Sequence, residues 1–318
     1  MSAESVSLLG DLVLSRTALD RADEVRHDND ELDNLWGLPT SRLLELHGDH
    51  VAVDVEKEVT RVEDQGAVWL VLSDPTQHSA TRPTEALFLG FSQGCAIFAV
   101  ESDPQLRLVR ASTLRLIGTL VNDSDADILT TAMALANWHR RHKHCSLCGE
   151  RTVVDRGGWM RRCPVDESEH YPRTDPAAIV LVVDPEDRAL LGRRKIWPEG
   201  WFSTLAGFVE PGEAAEATVV REVGEEAGVV VDQDSVEFLG SQPWPFPSSL
   251  MLGFHARALS CDEPEPDGEE IAEARWFTRE ELLALCESGE VKVPPRISIA
   301  RHLIERWYGE QLPGDWSR

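Results

Sequence analysis

The sequence predicts an α+β protein with a sheet-rich N-terminal domain, a short cysteine-bearing module and a C-terminal mixed α/β sandwich. Short β-rich runs recur from residue 51 to about residue 120, three cysteines cluster between residues 145 and 163, and strand and helix patterns alternate after residue 173. A chain of 318 residues is long enough for two or three compact units. We therefore place the domains at residues 1–123, 124–172 and 173–318.

The charge of the chain restricts its partners. The formal net charge is −25 and the sequence pI is about 4.7, which disfavours general binding to nucleic acid or to an anionic membrane. Such acidity suits a protein that collects divalent cations, and equally a highly charged cytoplasmic protein. No apolar stretch has the length of a membrane-spanning helix, and the N-terminus lacks the pattern of a signal peptide. We therefore expect a cytoplasmic protein without a membrane partner.

The sequence of the N-terminal half predicts short strands followed by one helix. Residues 1–50 are polar and acidic, and we expect part of them to be flexible. A helix is expected over residues 124–143, with Ser124 or Asp125 as its N-cap. Its apolar stripe would pack on a neighbouring element, and its basic end leads into the cysteine cluster. The predicted strands before this helix are residues 51–55, 67–72, 86–90, 96–100 and 106–110.

The C-terminal half alternates between strand and helix patterns. Thr278 followed by Glu281 is a capping-box pattern and predicts a helix from Arg279, and residues 298–308 predict a final helix. A further helix is expected just after residues 201–209. The predicted strands are residues 177–183, 188–193, 237–241, 250–258 and 273–277.

Three glutamates on that further helix indicate a metal site. Glu222, Glu225 and Glu226 are spaced i, i+3, i+4 and would share about one third of a helix circumference. Like charges crowded on one face are best tolerated when a multivalent cation neutralises them. The cation expected for carboxylate ligands is a hard one, Mg²⁺ or Mn²⁺, which commonly accompanies phosphate substrates. The alternative is a solvated acidic helix face.

Residues 207–229 resemble the signature of the Nudix hydrolases, Gly-x5-Glu-x7-Arg-Glu-U-x-Glu-Glu-x-Gly-U with U apolar. Gly207, Glu213, Arg221 and Gly228 occupy its fixed positions together with the three glutamates. Nudix hydrolases cleave nucleoside diphosphates linked to another group. The resemblance implies a strand–loop–helix unit of a Nudix α/β/α sandwich, with Gly207 and Gly212 shaping the loop and Gly228 capping the helix. It also implies that Arg221 orients a catalytic carboxylate.

A segment twelve residues after this signature narrows the substrate. Residues 241–251 read SQPWPFPSSLM, in which prolines alternate with Trp244 and Phe246 to give a stiff, extended segment. Its aromatic faces suit flat ligands such as adenine or nicotinamide, although a packed edge or loop is the commoner use of such a stretch. The segment matches SQPWPFPxSLM of the NADH pyrophosphatases, and the chain therefore resembles the NudC-type family within the Nudix superfamily.

The resemblance implies a reaction. Enzymes of the family hydrolyse the pyrophosphate of NADH or NAD, giving reduced or oxidised nicotinamide mononucleotide and AMP. They also remove NAD caps from RNA 5′ ends and act as homodimers. Two or more Mg²⁺ or Mn²⁺ ions would be held by the carboxylates, and either a glutamate of the signature or the additional Glu270 would take a proton from the attacking water. The implied metal ligands are Glu222, Glu225, Glu226 and Glu270.

The resemblance also implies residues that bind the substrate. Phe208 would stack on the base or nicotinamide, and Tyr171 would reach the site from the partner subunit, although ordinary packing is a serious alternative for both. Glu270 competes with Glu269 for the metal position, or is simply an exposed acid. The implied substrate-binding residues are Phe208, Gln242, Trp244, Phe246, Met251, Tyr171 and Ala300.

The cysteine spacing predicts an incomplete zinc ribbon. Cys145-x2-Cys148 is followed after 14 residues by Cys163-x2-Asp166, so an aspartate stands where a fourth cysteine would complete two knuckles. We expect Zn²⁺ held by Cys145, Cys148, Cys163 and Asp166. Alternative fourth ligands are His144 and His170, and a ribbon held by packing alone is a further alternative. Residues 139–162 are also locally basic, which suits an RNA backbone, a solvated face or an intersubunit surface.

Two other functions stay open at this point. One is a Nudix enzyme for another diphosphate, such as ADP-ribose or a dinucleoside polyphosphate. The other is a module that senses dinucleotides without hydrolysing them, which the complete set of glutamates disfavours.

Overall fold

The computed structural model describes residues 9–55, 67–102 and 110–316. The helices are α1 (Asn29–Trp36), α2 (Pro75–His78), α3 (Leu114–Ile117), α4 (Asp123–Arg141), α5 (Ala215–Ala227), α6 (Arg279–Ser288) and α7 (Ile299–Tyr308). The strands are β1 (Arg42–His47), β2 (His50–Val55), β3 (Val68–Leu70), β4 (Leu87–Ser92), β5 (Cys95–Glu101), β6 (Ala111–Thr113), β7 (Val153–Asp155), β8 (Met160–Arg162), β9 (Glu169–His170), β10 (Asp175–Val183), β11 (Ala189–Arg194), β12 (Leu205–Phe208), β13 (Val231–Trp244), β14 (Ser249–Ala258) and β15 (Ile271–Phe277). Three short 3₁₀ turns accompany them, Val13–Ser15, Asp23–His27 and Arg156–Gly158.

The chain forms two compact units, and each is discontinuous in sequence. The C-terminal unit contains residues up to Ser15 together with Asp175–Pro243 and Ser249–Arg318, and the N-terminal unit contains Arg16–Thr174 and Trp244–Ser248. The cysteine module thus groups with the N-terminal sheet. The predicted division into three domains, with boundaries at residues 123 and 172, differs from these two units and stays a proposal.

A six-stranded sheet forms the centre of the N-terminal unit. Its order is β3-β2-β1-β5-β4, and β6 pairs with β2. β1 and β5 are parallel, from Arg42 opposite Ile97 to Leu46 opposite Glu101. Trp36 of α1 is buried against Phe98, with ring centroids 5.2 Å apart in an edge-to-face arrangement. The predicted sheet-rich domain is therefore present, but sequence reasoning missed α1 and β1.

The cysteine module packs on this sheet through Gly157 and Gly158. A Cβ on Gly158 would lie 2.4 Å from Leu87 Cδ2, so only glycine allows the module to approach β4 this closely. Trp159 Nε1 then donates to the Phe88 carbonyl at 2.7 Å. Within the module, β7, β8 and β9 form a three-stranded sheet. The ribbon is thus anchored by packing in addition to any metal it holds.

The C-terminal unit is an α/β/α sandwich. Its sheet has the order β13-β14-β10-β11-β15, with β12 paired to β10 and with β10 and β14 parallel. Side chains alternate along β10, so Ile179 packs towards α6 and α7, whereas Val180 packs towards Val219 and Val223 of α5. The glutamate helix therefore lies on one face of the sheet and the last two helices on the other, as predicted.

Leucines from the start of the chain complete the core of the C-terminal unit. Leu9 and Leu12 are buried in the same apolar cluster as Ile179 and Leu303. These two leucines fill the α6/α7 side of the sheet, so this part of residues 1–50 is packed in the core.

Two other local expectations differ from the structure, and a third is largely untested. α4 is capped by Asn122, whose side chain accepts from the Asp125 N–H, and not by Ser124 or Asp125. Residues 245–248 form a turn, because β13 and β14 are neighbours in the sheet and the chain must reverse between them. The predicted strand at residues 106–110 lies largely outside the described residues.

Within the described ranges, we find no helix with the length and hydropathy needed to cross a lipid bilayer.

We predict that Leu12→Ala destabilises the C-terminal unit by about 2–4 kcal/mol, because it removes a fully buried side chain and leaves a cavity. Urea unfolding followed by tryptophan fluorescence measures this change. Leu116→Ala is the control, since that leucine is 61% exposed, and it should shift stability by less than about 0.5 kcal/mol. Equal stability of Leu12→Ala and the parent would contradict the packing described.

Candidate active site

One helix presents the three glutamates. α5 ends at Gly228, whose φ of 66° closes the helix, and the Gly228 N–H donates to the Gly224 carbonyl at 3.0 Å. Val219, Val223 and Ala227 are buried beneath the helix. The predicted helix cap at Gly228 is therefore confirmed.

Arg221 is the hub of the carboxylate network. Its Nε and Nη2 donate to the two oxygens of Glu213 at 2.8 and 2.9 Å, a bidentate pair. Nη1 donates to Glu222 Oε1 at 2.8 Å and to Glu225 Oε2 at 3.0 Å, while Nη2 also reaches the Phe208 carbonyl at 3.1 Å. The arginine thus ties the loop, the end of β12 and two signature glutamates into one arrangement.

The charges in this network reinforce one another. Hydrogen bonding to Arg221, followed by the Glu210 N–H, lowers the pKa of Glu213 to about 2. The same bond to Glu213, with Glu222 and Glu225, raises the pKa of Arg221 above its ordinary value. Both groups are therefore ionised throughout the physiological range. The structure places Arg221 where it orients carboxylates, the arrangement that its proposed role requires.

Gly207 makes room for Glu222. A Cβ at this position would lie 1.8 Å from the Glu222 carboxyl carbon, which real structures do not tolerate. The Glu222 side chain is only 17% exposed and lies against the backbone of β12. Glycine at position 207 is therefore required by the close approach of a carboxylate to the strand.

Glu226 is a buried carboxyl group with unmet hydrogen-bonding capacity. The residue is 5% exposed, and its Oε2 is buried without a hydrogen-bond partner. Burial is the largest cause that raises its pKa to about 8; the negative charges of Glu222 and Glu270 add to the rise, while Arg194 and the Ala206 N–H oppose it. Glu222 and Glu270 are therefore both close enough to Glu226 to act on it electrostatically.

Glu270 is held by residues that the sequence did not single out. It forms an ion pair with Arg194 at the end of β11. The carboxylate of Asp267 accepts backbone N–H groups of Glu269, Glu270 and Ile271 at 2.9–3.2 Å and so fixes the loop before β15. Only the pairing of β11 with β15 brings Arg194 to this loop, which explains why local pattern reasoning missed Arg194.

The residues present fit a hard divalent cation. The donors are carboxylate oxygens, which Mg²⁺ and Mn²⁺ prefer. An orphaned buried oxygen on Glu226, beside two further carboxylates, is an environment that a cation would stabilise. Glu225 is 62% exposed and bonded to Arg221, so it lies at the rim of the cluster.

The predicted aromatic residues fall into both units. Phe208 of the C-terminal unit is 59% exposed, and Tyr171 of the N-terminal unit is 55% exposed. Tyr171 donates its hydroxyl hydrogen to Glu169. Core packing does not account for either side chain. Their roles in substrate binding stay predictions.

Trp244 and Phe246 are packed together and against a cation. Their ring centroids are 4.9 Å apart in an edge-to-face arrangement. The Arg115 guanidinium lies 3.8 Å from the Phe246 centroid and 5.1 Å from that of Trp244. Sequence reasoning missed Arg115, which precedes these aromatics by about 130 residues.

The remaining predicted pocket residues have clear packing roles. Gln242 is fully buried, donates from Nε2 to the Ile297 carbonyl at 3.0 Å and accepts the Leu14 N–H at 3.4 Å. Ala300 is buried near the start of α7, and Met251 packs on the same core. Their contribution to a ligand pocket stays a prediction.

The predicted zinc ligands lie together. One donor atom from each of Cys145, Cys148, Cys163 and Asp166 lies within 4.8 Å of the others. His144 and His170 do not belong to this four-residue group. The donor set therefore fits a tetrahedral ion such as Zn²⁺.

Comparisons with known proteins agree with this geometry. The family model described as NUDIX domain matches residues 173–296, and that described as NADH pyrophosphatase zinc ribbon domain matches residues 140–171. The NAD-capped RNA hydrolase NudC of Mycobacterium tuberculosis is 39% identical over 310 residues, with 93% of this chain and 94% of that protein covered. The human NAD-capped RNA hydrolase NUDT12 is 42% identical over 199 residues, covering 59% of this chain and 42% of that protein.

The matched ranges contain the glutamate helix and the cysteine cluster, so the class of the chain is that of a hydrolase with a Nudix domain and a zinc ribbon domain. The chain belongs to the NudC-type NADH pyrophosphatases of the Nudix superfamily. Nudix hydrolases use divalent metals, and the predicted fold class and enzyme class are thereby confirmed.

We predict that Glu226→Gln lowers turnover by about 10²-fold or more, because it removes a charge that would stabilise the transition state through a bound cation. The measurement is the rate of NADH hydrolysis at saturating Mn²⁺. Glu216→Gln, an exposed residue of the same helix, is the matched control and should retain parental turnover. Parental activity of Glu226→Gln at saturating Mn²⁺ would remove Glu226 from the site.

We predict that Asp166→Cys raises zinc retention and thermal stability together, because thiolate suits Zn²⁺ better than a carboxylate oxygen does. Elemental analysis after purification without chelator, combined with thermal unfolding, measures both. Val165→Cys adds a thiol at a neighbouring exposed position and should change neither. If Asp166→Cys also leaves both unchanged, residue 166 does not bind the metal.

Proposed function

We propose that this protein hydrolyses the pyrophosphate bond of NADH and NAD, giving reduced or oxidised nicotinamide mononucleotide and AMP, and that it removes NAD caps from RNA 5′ ends. The buried, unpartnered oxygen of Glu226 beside Glu222 and Glu270 is the observation that carries the proposal. The names of relatives with 39% and 42% identity support the substrate.

The carboxylates would hold Mg²⁺ or Mn²⁺. When bound, such ions neutralise charge on the phosphate oxygens and lower the pKa of water. Glu222, Glu226 and Glu270 would supply the innermost ligands, and Glu225 would join them from the rim. Arg221 would hold Glu222 and Glu225 in their rotamers, so that little reorganisation is needed when the substrate arrives.

The aromatic residues would recognise the dinucleotide. Phe208 projects from the end of β12, two residues after Ala206, whose N–H bonds to Glu226, so a ring stacked on it would lie next to the carboxylates. Trp244, Phe246, Met251, Gln242 and Ala300 would line or support the base pocket. The cytoplasmic location stays a prediction of the sequence.

A substrate panel tests the proposed function. Turnover with Mn²⁺ should be highest for NADH, NAD or NAD-capped RNA and lower for ADP-ribose and dinucleoside polyphosphates. The products should be AMP and a nicotinamide mononucleotide, resolved by chromatography. A preference for ADP-ribose would make the protein another Nudix hydrolase. No turnover of any substrate by the parent protein would indicate a module that only senses dinucleotides.

A homodimer that shares residues between sites would account for the exposed ring of Tyr171. We predict that Tyr171→Ala and Glu226→Gln, each weakly active alone, complement one another when mixed and allowed to exchange subunits. If Tyr171 reaches the partner's site, half of the dimers are mixed and each mixed dimer has one intact site. About a quarter of parental activity should therefore return. No recovery despite demonstrated exchange would place both residues in one subunit's site.

A further inference from the structure

A cavity with several charged side chains in its lining lies in the N-terminal unit, and none of the glutamates of α5 lines it. Its volume is about 360 Å³, at the lower end of the range for small-ligand sites. Four basic side chains line it against two carboxylates, those of Glu85 and Glu101. The basic residues are Arg140, Lys143, Arg151 and Arg161. Arg140 also forms an ion pair with Asp49, which lies outside the lining, so one positive charge remains unbalanced in a chain whose net charge is −25.

Arg161 is a buried cation with no close anion. Its side chain is 3% exposed, and the nearest paired carboxylate oxygen, of the largely exposed Glu85, is 4.0 Å away. Nε donates to the Thr152 hydroxyl at 2.8 Å and Nη2 to the Thr152 carbonyl at 2.7 Å. These neutral partners fix the guanidinium, and its charge is compensated only by the long ion pair with Glu85, which is costly in a protein interior.

His139 does not supply a second charge. Its Nε2 faces the Gly158 carbonyl at 2.7 Å, and its Nδ1 lies 2.8 Å from Arg161 Nη1. Burial lowers the pKa of His139 to about 4, so the ring is neutral at pH 7 and accepts from the arginine through Nδ1. The fixed positive charge at this wall of the cavity is therefore that of Arg161.

The other cations retain capacity for an anion. Arg140 contacts Glu101 through Nε and Asp49 through Nη1, both at 3.3 Å, but its Nη2 is buried without a hydrogen-bond partner. An unmet buried donor destabilises the protein until a partner binds to it. Lys143 and Arg151 are exposed, and within the described ranges no carboxylate forms an ion pair with either side chain.

We propose that this cavity binds the phosphate group of a nucleotide. A phosphate monoester carries close to two negative charges at neutral pH, and the lining holds more cationic than anionic side chains to receive it. Guanidinium groups bind phosphate oxygens through paired N–H donors, and a lysine adds a mobile point charge at the mouth. The site uses none of the residues assigned to hydrolysis, so it stands independently of the proposed function.

Phosphate-dependent stabilisation tests the proposal on the full-length protein. Thermal unfolding without added Mg²⁺ or Mn²⁺ is compared in phosphate and in chloride at matched ionic strength, and then with AMP and with a 5′-phosphorylated RNA dinucleotide. All three phosphates should raise the Tm of the parent. Tighter binding of AMP would identify a free nucleotide as the source of the phosphate, and tighter binding of the dinucleotide an RNA end.

Lys143→Gln and Arg151→Gln should each weaken phosphate binding by about fivefold to tenfold while leaving NADH turnover unchanged. Both positions are exposed, so the variants should fold. Arg141→Gln, an exposed charge of the same segment that does not line the cavity, should bind as the parent does. The proposal is overturned if phosphate stabilises the parent no more than chloride does, or if all three variants bind phosphate equally.

Discussion

The candidate active site depends on the ion pairs that the guanidinium of Arg221 forms with its neighbouring carboxylates. This guanidinium bonds to Glu213, Glu222 and Glu225 and to the backbone of β12, so a single cation orders the loop, the strand end and the helix. Without it, the carboxylates of α5 would repel one another and adopt separate rotamers. With it, Glu222 lies against Gly207, and Glu226 and Glu270 complete a concentrated negative charge.

That arrangement places an unfavourable group among the carboxylates. Glu226 is buried beside two other carboxylates, and one of its oxygens has no hydrogen-bond partner. A buried carboxylate of this kind is stabilised either by protonation or by a bound cation, and the pKa of Glu226 is raised for this reason. Burial of unmet polar groups is common where binding or catalysis requires it, because the cost is recovered when the ligand binds.

Site residues that lie at a fixed spacing along the chain could be predicted from the sequence, whereas contacts between residues on paired strands could not. The spacing of Glu222, Glu225 and Glu226 follows directly from helix geometry, and the cysteine spacing places Asp166 at the fourth position of the cluster. Arg194 lies close to Asp267 and Glu270 only because β11 pairs with β15. Leu12 likewise enters a core formed some 170 residues later, and no local pattern indicates that.

The binding of Mn²⁺ and the turnover of NADH by Glu213→Gln test the central claim most directly. Glu213 holds Arg221 through two hydrogen bonds but is not a proposed metal ligand. The account predicts that Glu213→Gln weakens Mn²⁺ binding, measured by electron paramagnetic resonance, and lowers turnover by about tenfold or more, whereas Glu216→Gln changes neither. Parental Mn²⁺ affinity and parental turnover in Glu213→Gln would contradict the claim that the arginine network positions the carboxylates.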